Sequence, residues 1–165
     1  MPRLDTDISI RLLEPADARA LGELFERNAT PRVIAHFHPF PLTLDTARKL
    51  ALEETEDLYY VAFVRQELTG FMMLRGWEEG YDVPSFGFLV DSAAQGRGLG
   101  KRLAAIAIEE ARGRGAKRVR ATVYASNPSS FAALVANGFA EVSREPVERA
   151  HGPDERIVMT ADLTQ

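Results

Sequence analysis

A twelve-residue stretch, Val90-Asp-Ser-Ala-Ala-Gln-Gly-Arg-Gly-Leu-Gly100-Lys101, constrains the chain more than any other. It joins a β-rich run, Ser85–Val90, to the best amphipathic segment, Gly98–Gly113, and so predicts strand, glycine turn and helix in succession. Glycines let a ligand approach the backbone closely, and a helix start offers unpaired N–H groups with a partial positive charge. Arg97 and Lys101 add cations, and Gln95 can donate a hydrogen bond. This is the chemistry of a pyrophosphate cradle. Spacing excludes two kinds of cradle. A P-loop needs G-x-x-x-x-G-K-[ST], but Gln95 stands at its first Gly and Arg102 at its Ser/Thr. A dinucleotide fingerprint needs G-x-G-x-x-G, and counted from Gly96 it ends on Lys101. The bland alternative is a glycine turn that holds no ligand.

The rest of the sequence predicts one domain over residues 1–165, since no linker, repeat or low-complexity segment divides it. Ile8–Leu13 alternates like a strand, and Pro15 opens a helix to about Asn28. Thr30–Pro41, with three prolines, reads as a loop, and Thr43 caps a second helix to about Glu54. Leu58–Val64 and Thr69–Arg75 form a hairpin, and Trp77–Tyr81 a polar and aromatic loop. In the long helix, Leu99, Leu103, Ile106 and Ala107 line the inner face. Strand Arg118–Tyr124, a short helix Pro128–Asn137, and strands Phe139–Ser143 and Arg156–Leu163 complete a mixed α/β (α+β) chain. Its fold class is one largely antiparallel central sheet flanked by about four helices.

Composition removes several functions. The net charge of −4 gives no global attraction for nucleic acid or an anionic membrane. With no cysteine, thiolate metal sites and a Cys nucleophile are excluded, and three histidines make a His-rich metal site improbable. The longest apolar runs, Tyr59–Val64 and Leu103–Ile108, are far shorter than a membrane span. Met1–Asp7 carries acids where a signal peptide needs an apolar stretch, so the cytoplasm is the default location. Arg112, Arg114, Lys117 and Arg118 read as a solvated helix end favoured by the dipole.

One motif does fit: Q/R-x-x-G-x-G/A, as Gln95-Gly-Arg-Gly98-Leu-Gly100. It resembles the acetyl-CoA-binding motif of the GNAT N-acetyltransferase superfamily. Asn127 and Asn137-Gly138-Phe139 stand at family-like spacing after the following strand, and the element order matches over nearly the whole chain. The resemblance implies acetyl-CoA as acyl-donor cosubstrate and no metal. It implies a CoA site built from Leu89, Val90, Gln95, Gly96, Arg97, Gly98, Leu99, Gly100, Lys101, Asn127 and Ser130, with the N–H of Leu89 or Val90 bonding the acetyl carbonyl according to register. It also implies transfer to a primary amine, on a small molecule (amino acid, amino sugar or antibiotic) or, as the alternative, on a protein N-terminus. A non-catalytic acyl-CoA sensor is the reading from another class, and a homodimer is an open option.

The catalytic residues depart from the family pattern. Many members place a Tyr acid four residues before the G-F glycine, where this chain has Leu134. A subset that includes enzymes acetylating ribosomal-protein N-termini is similar in having Leu there and Ser earlier in the helix, here Ser130. Ser130 and Tyr124 are therefore candidates to serve the leaving thiolate. Glu78 and Glu79 are candidates to bind the ammonium or accept its proton. His36, His38, Trp77 and Tyr81 are candidates to line the acceptor pocket. His151, in Ala-His-Gly-Pro, reads as a turn residue.

Overall fold

The computed structural model describes residues 7–164, so the reading of the first six residues lies outside it. The strands are β1 (Ile8–Leu12), β2 (Leu58–Val64), β3 (Glu67–Arg75), β4 (Ser85–Val90), β5 (Arg118–Tyr124), β6 (Phe139–Arg149) and β7 (Gly152–Asp162). The helices are α1 (Ala18–Arg27), α2 (Pro31–His36), α3 (Leu44–Leu52), α4 (Leu99–Gly113) and α5 (Pro128–Val135). All seven strands form one sheet in the order β1-β2-β3-β4-β5-β7-β6. Every neighbouring pair is antiparallel except β4 and β5.

Alternation along the strands sends side chains to opposite faces, and each face carries its own core. Tyr60, Ala62, Met72, Leu74, Phe86, Val119, Ala121 and Val123 meet α4 and α5 on one face. Val61, Phe71 and Leu89 meet α1, Ala47 of α3, and Phe37 just beyond α2 on the other. Leu99, Leu103, Ala104, Ala107, Ile108 and Ala111 are the buried stripe of α4. Ile106, expected on that stripe, is half-buried at its margin, and Ile108 is the buried isoleucine.

Three other expectations change. Thr30–Pro41 is not all loop: Thr30 accepts a hydrogen bond from the Val33 N–H and Pro31 fills the first helical position, so α2 forms. The β2–β3 connection is a two-residue turn, Arg65-Gln66, with φ of 51° and 69°. Positive φ at both positions matches the twist of the flanking strands, which is why so short a turn serves. Strands β6 and β7 run on to Arg149 and Gly152 around the Ala150-His151 turn. In this added length β6 is mostly exposed and β7 mostly half-buried, and Arg144–Glu155 at 3.0 Å pairs across it.

Candidate active site

The parallel pair at the centre of the sheet creates the site. β4 and β5 pair only at Ser85↔Arg120 and Phe86↔Ala121, and beyond that they part. The Asp91 N–H donates to the Thr69 carbonyl at 2.8 Å, so by alternation Leu89 also faces β3. Pro84, whose carbonyl accepts from the Arg120 N–H, faces β5, and so do Phe88 and Val90. The register thus turns the backbone of Val90, not that of Leu89, towards the gap.

A cleft of about 520 Å³ opens there. One wall is Phe88–Val90 with Gln95, Gly96 and Gly98–Lys101; the facing wall is Ser126–Ser130 and Ala133; Arg32, Val33, His36 and Phe37 cover the end towards α2. Its size suits a ligand of small-molecule dimensions. Gly98, the residue before α4, has φ of +75°, a region that L side chains rarely adopt. Gly100 has a packing reason instead, since a Cβ there would lie 2.7 Å from Phe88 Cε2. Among the described residues, no carboxylate stands within salt-bridge distance of Arg97, Lys101 or Arg32. Arg32 and Lys101 line the cleft and Arg97 belongs to the adjoining turn, so uncompensated positive charge stands beside helix-start amides, an arrangement that attracts phosphate.

The glycine turn is anchored from behind. Asn28, only 1% exposed, accepts from both the N–H and the hydroxyl of Ser92 and donates to the Leu24 carbonyl. Arg27 Nε donates to Asp91 at 2.6 Å and its Nη2 to the Leu68 carbonyl. At the other end, Asn137 donates to the Lys101 and Ala133 carbonyls, tying α5 to the start of α4. Replacing Asn28 by Ala removes a buried side chain and leaves the Ser92 N–H without its partner. It should cost about 1–2 kcal/mol in unfolding free energy. Urea denaturation checks this, and a loss near zero would mean that water substitutes freely.

On the facing wall, Asn127 caps α5 and donates from Nδ2 to Ser130 Oγ at 3.0 Å. That leaves the Ser130 hydroxyl proton free to point into the cleft. Leu134, at the Tyr position of many family members, is 2% exposed and belongs to the core.

The acetyltransferase (GNAT) family model matches residues 20–139. The chain belongs to this family. Among curated proteins, none matches it in sequence. Among solved structures it is similar to yncA from Salmonella typhimurium, described with its cofactor acetyl-CoA, at 22% identity and TM-score 0.79, over 96% of this chain and 95% of that one. It is similar also to the ribosomal-protein-S5-alanine acetyltransferase from Vibrio fischeri, at 18% identity and TM-score 0.79, over 96% and 94% of the two chains. A chimera of Vibrio cholerae spermidine N-acetyltransferase SpeG and hSSAT matches at 18% identity and TM-score 0.74, over 96% of each chain. At these identities the structural likeness speaks to the fold, and the family match makes the chain an acetyltransferase.

The GNAT cleft does not collect every candidate residue. Trp77, Glu78, Glu79 and Tyr81 follow β3 and precede β4, at the end of the sheet where β4 and β5 are still paired. Trp77 packs under the Arg114 guanidinium, 4.5 Å from the ring centroid, at the far end of α4. With 15 residues at ~1.5 Å each, α4 spans about 22 Å, so this loop and the Arg112–Arg118 cations stand well away from the glycine turn. Glu78 accepts from the Glu56 N–H at 2.6 Å and lines a separate acidic groove with Glu53, Glu54 and Asp57. Glu78, a candidate for the ammonium or its proton, is thus bonded to the segment before β2, and Glu79 shares its loop away from the glycine turn.

Instead, the three histidines of the chain converge beyond β5. His36 Nε2 stands 3.0 Å from Ser126 Oγ, His38 Nε2 stands 3.0 Å from the Tyr124 hydroxyl, and His151 Nε2 stands 3.4 Å from Asp154. Tyr124 does not line the cleft; its ring lies under the Arg149 guanidinium at 3.5 Å. Arg149 Nη2 also donates to the Ala35 carbonyl, fastening α2 to the β6–β7 hairpin. Ser126, Asp154 and Arg149 carry no recognisable spacing motif. Their proximity arises from the extended hairpin, which the sequence shows only as a run of charged residues.

Proposed function

We propose that the chain is an acetyl-CoA-dependent N-acetyltransferase whose acceptor is the primary amine of a small molecule such as an amino acid, amino sugar or antibiotic. The observation that carries this reading is the parting of β4 and β5 above a glycine turn with free cations. CoA pyrophosphate lies on the amides of Gln95–Lys101 beside Arg97 and Lys101, and pantetheine runs past Phe88 and Val90. The Val90 N–H bonds the acetyl carbonyl, and Asn127 and Ser130 meet the thiol end. A small acceptor is supported by the α2 residues that line the end of the cleft, where α2 is fastened to the β6–β7 hairpin. The Ser130/Leu134 pattern supports the second reading, a protein N-terminus as acceptor. The cytoplasm remains the proposed location and residues 1–165 the proposed single domain.

Thiol release from acetyl-CoA with spermidine, a set of amino acids, amino sugars and alanine-initiated peptides tests the activity. Binding of acetyl-CoA without thiol release would favour a sensor. The cradle has its own test. Gly98→Val places a branched side chain at φ +75° where phosphates approach. The CoA dissociation constant should rise about tenfold, or about 1.4 kcal/mol. Calorimetry on a variant whose circular dichroism is unchanged decides it, and wild-type affinity removes the pyrophosphate from this turn.

A further inference from the structure

An acetyltransferase that meets its acceptor as an ammonium ion must first remove a proton, because an alkylamine has a pKa near 10. The acidic loop after β3 lies outside the cleft. We propose that His36 is the proton acceptor for the amine, with Ser126 and Asp154 as positioning residues that fix its tautomer. The proposal rests on the reading of the cleft as the acetyl-transfer site.

The hydrogen bonds determine which nitrogen is available. Asp154, whose side chain is 3% exposed, accepts from Ser126 Oγ at 2.6 Å, from the Ser126 N–H at 3.2 Å and from the Glu155 N–H at 2.8 Å. Burial pushes the Asp154 carboxyl up, but these hydrogen bonds and Arg149 outweigh it and hold the group below the usual carboxylate range. Asp154 is then an acceptor only, so the single Ser126 hydroxyl proton is spent on it. Ser126 Oγ must in turn accept from His36 Nε2–H at 3.0 Å. That leaves Nδ1 with a free lone pair, on a half-buried ring that lines the cleft.

The surroundings keep that ring neutral. Burial, then the charge of Arg149, push the His36 imidazole below its ordinary value, with His151 and Arg32 acting the same way and Asp154 opposing them. Tyr124 faces it from β5, with ring centroids 6.5 Å apart. A base must be unprotonated before it can act, and this one is so at neutral pH.

The transfer then balances. His36 Nδ1 takes one proton from the ammonium, and the amine lone pair forms the C–N bond at the thioester carbonyl. The adduct collapses with cleavage of the C–S bond, and the nitrogen loses its second proton, which ends on the CoA thiolate. The proton held by His36 leaves to water.

Three measurements test the assignment. Nitrogen-15 NMR of the wild-type imidazoles needs no acceptor: it should show His36 as the Nε2–H tautomer, titrating below about 6.5. A dominant Nδ1–H tautomer overturns the proposal. With acetyl-CoA and the most active amine of the panel above, wild-type kcat/KM should reach a plateau above that titration and hold it towards pH 10. His36→Gln should lose the plateau, so that kcat/KM climbs with unit slope towards the amine pKa, and should fall about 100-fold at pH 7. Ser126→Ala should show a smaller fall with the limb displaced, where a purely structural role would leave the profile in place. A retained plateau in His36→Gln overturns the proposal even if acetyl transfer is confirmed. Failure of the wild type to bind acetyl-CoA in calorimetry would instead overturn the reading of the cleft itself.

Discussion

Phe71→Ala lowers the unfolding free energy by about 3–5 kcal/mol, the range for deleting a large buried aromatic. Phe71 is 0% exposed on β3 and sits at the hub of an aromatic cluster. Its ring meets Phe25 edge-on at 5.3 Å, Tyr59 in a stack at 6.0 Å, and Phe37 and Phe40 at 6.4 and 6.1 Å. Those partners come from α1, β2 and the segment around α2, so the cavity left by alanine cannot be filled by one neighbour moving in. In a domain of this size the melting temperature should fall by about 10 °C. The effect should also reach the cleft, because Phe37 directly follows His36 and seats α2 against Phe71. KM for the amine should therefore rise more than the CoA dissociation constant, if CoA rests on the glycine turn at the other wall as proposed. Urea denaturation with amine and CoA titrations measures all three. A loss under about 1 kcal/mol would falsify the placement of Phe71 at the centre of this core.

The parts of the molecule readable from sequence are those where burial leaves a period. Ser85–Val90 and Arg118–Tyr124 coincide with β4 and β5 because apolar residues mark both strands. The long helix shows because Leu99, Leu103 and Ala107 recur at helical spacing and Gly113 stands at its end. The outer half of the β6–β7 hairpin buries no apolar residue, so its sequence carries no hydrophobic alternation and its length is invisible. That hairpin delivers Arg149, His151 and Asp154 towards His36 at the end of α2. Sequence alone points to Glu78 and Glu79 for the amine, because their charges are visible in the chain and their distance from the glycine turn is not. The glycine turn escaped this problem, since strand, turn and helix are contiguous in the chain. Only the choice between Leu89 and Val90 awaited the register.

The family resemblance left the leaving thiolate without its usual Tyr, and Ser130→Ala should lower kcat about 10- to 100-fold. A thiol has a pKa of only about 8.5 by analogy with cysteine, so it departs passably without an acid and the effect stays moderate. The geometry suits a hydrogen-bond donor. Asn127 Nδ2 occupies a lone pair of Ser130 Oγ, which directs the hydroxyl proton elsewhere, and both residues line the cleft. Tyr124, the other candidate, is engaged by His38 and covered by Arg149. The decisive comparison is Ser130→Ala, Asn127→Ala and the pair together. If Asn127 acts by aiming Ser130, the double variant should lose little more kcat than Ser130→Ala alone, a non-additivity expected of residues in one network. Asn127→Ala should also cost about 1 kcal/mol of stability through the lost cap of α5. Additive losses would mean that Asn127 meets CoA independently. An unchanged kcat in Ser130→Ala, with the chemical step shown to limit turnover, would leave the thiolate to depart unassisted.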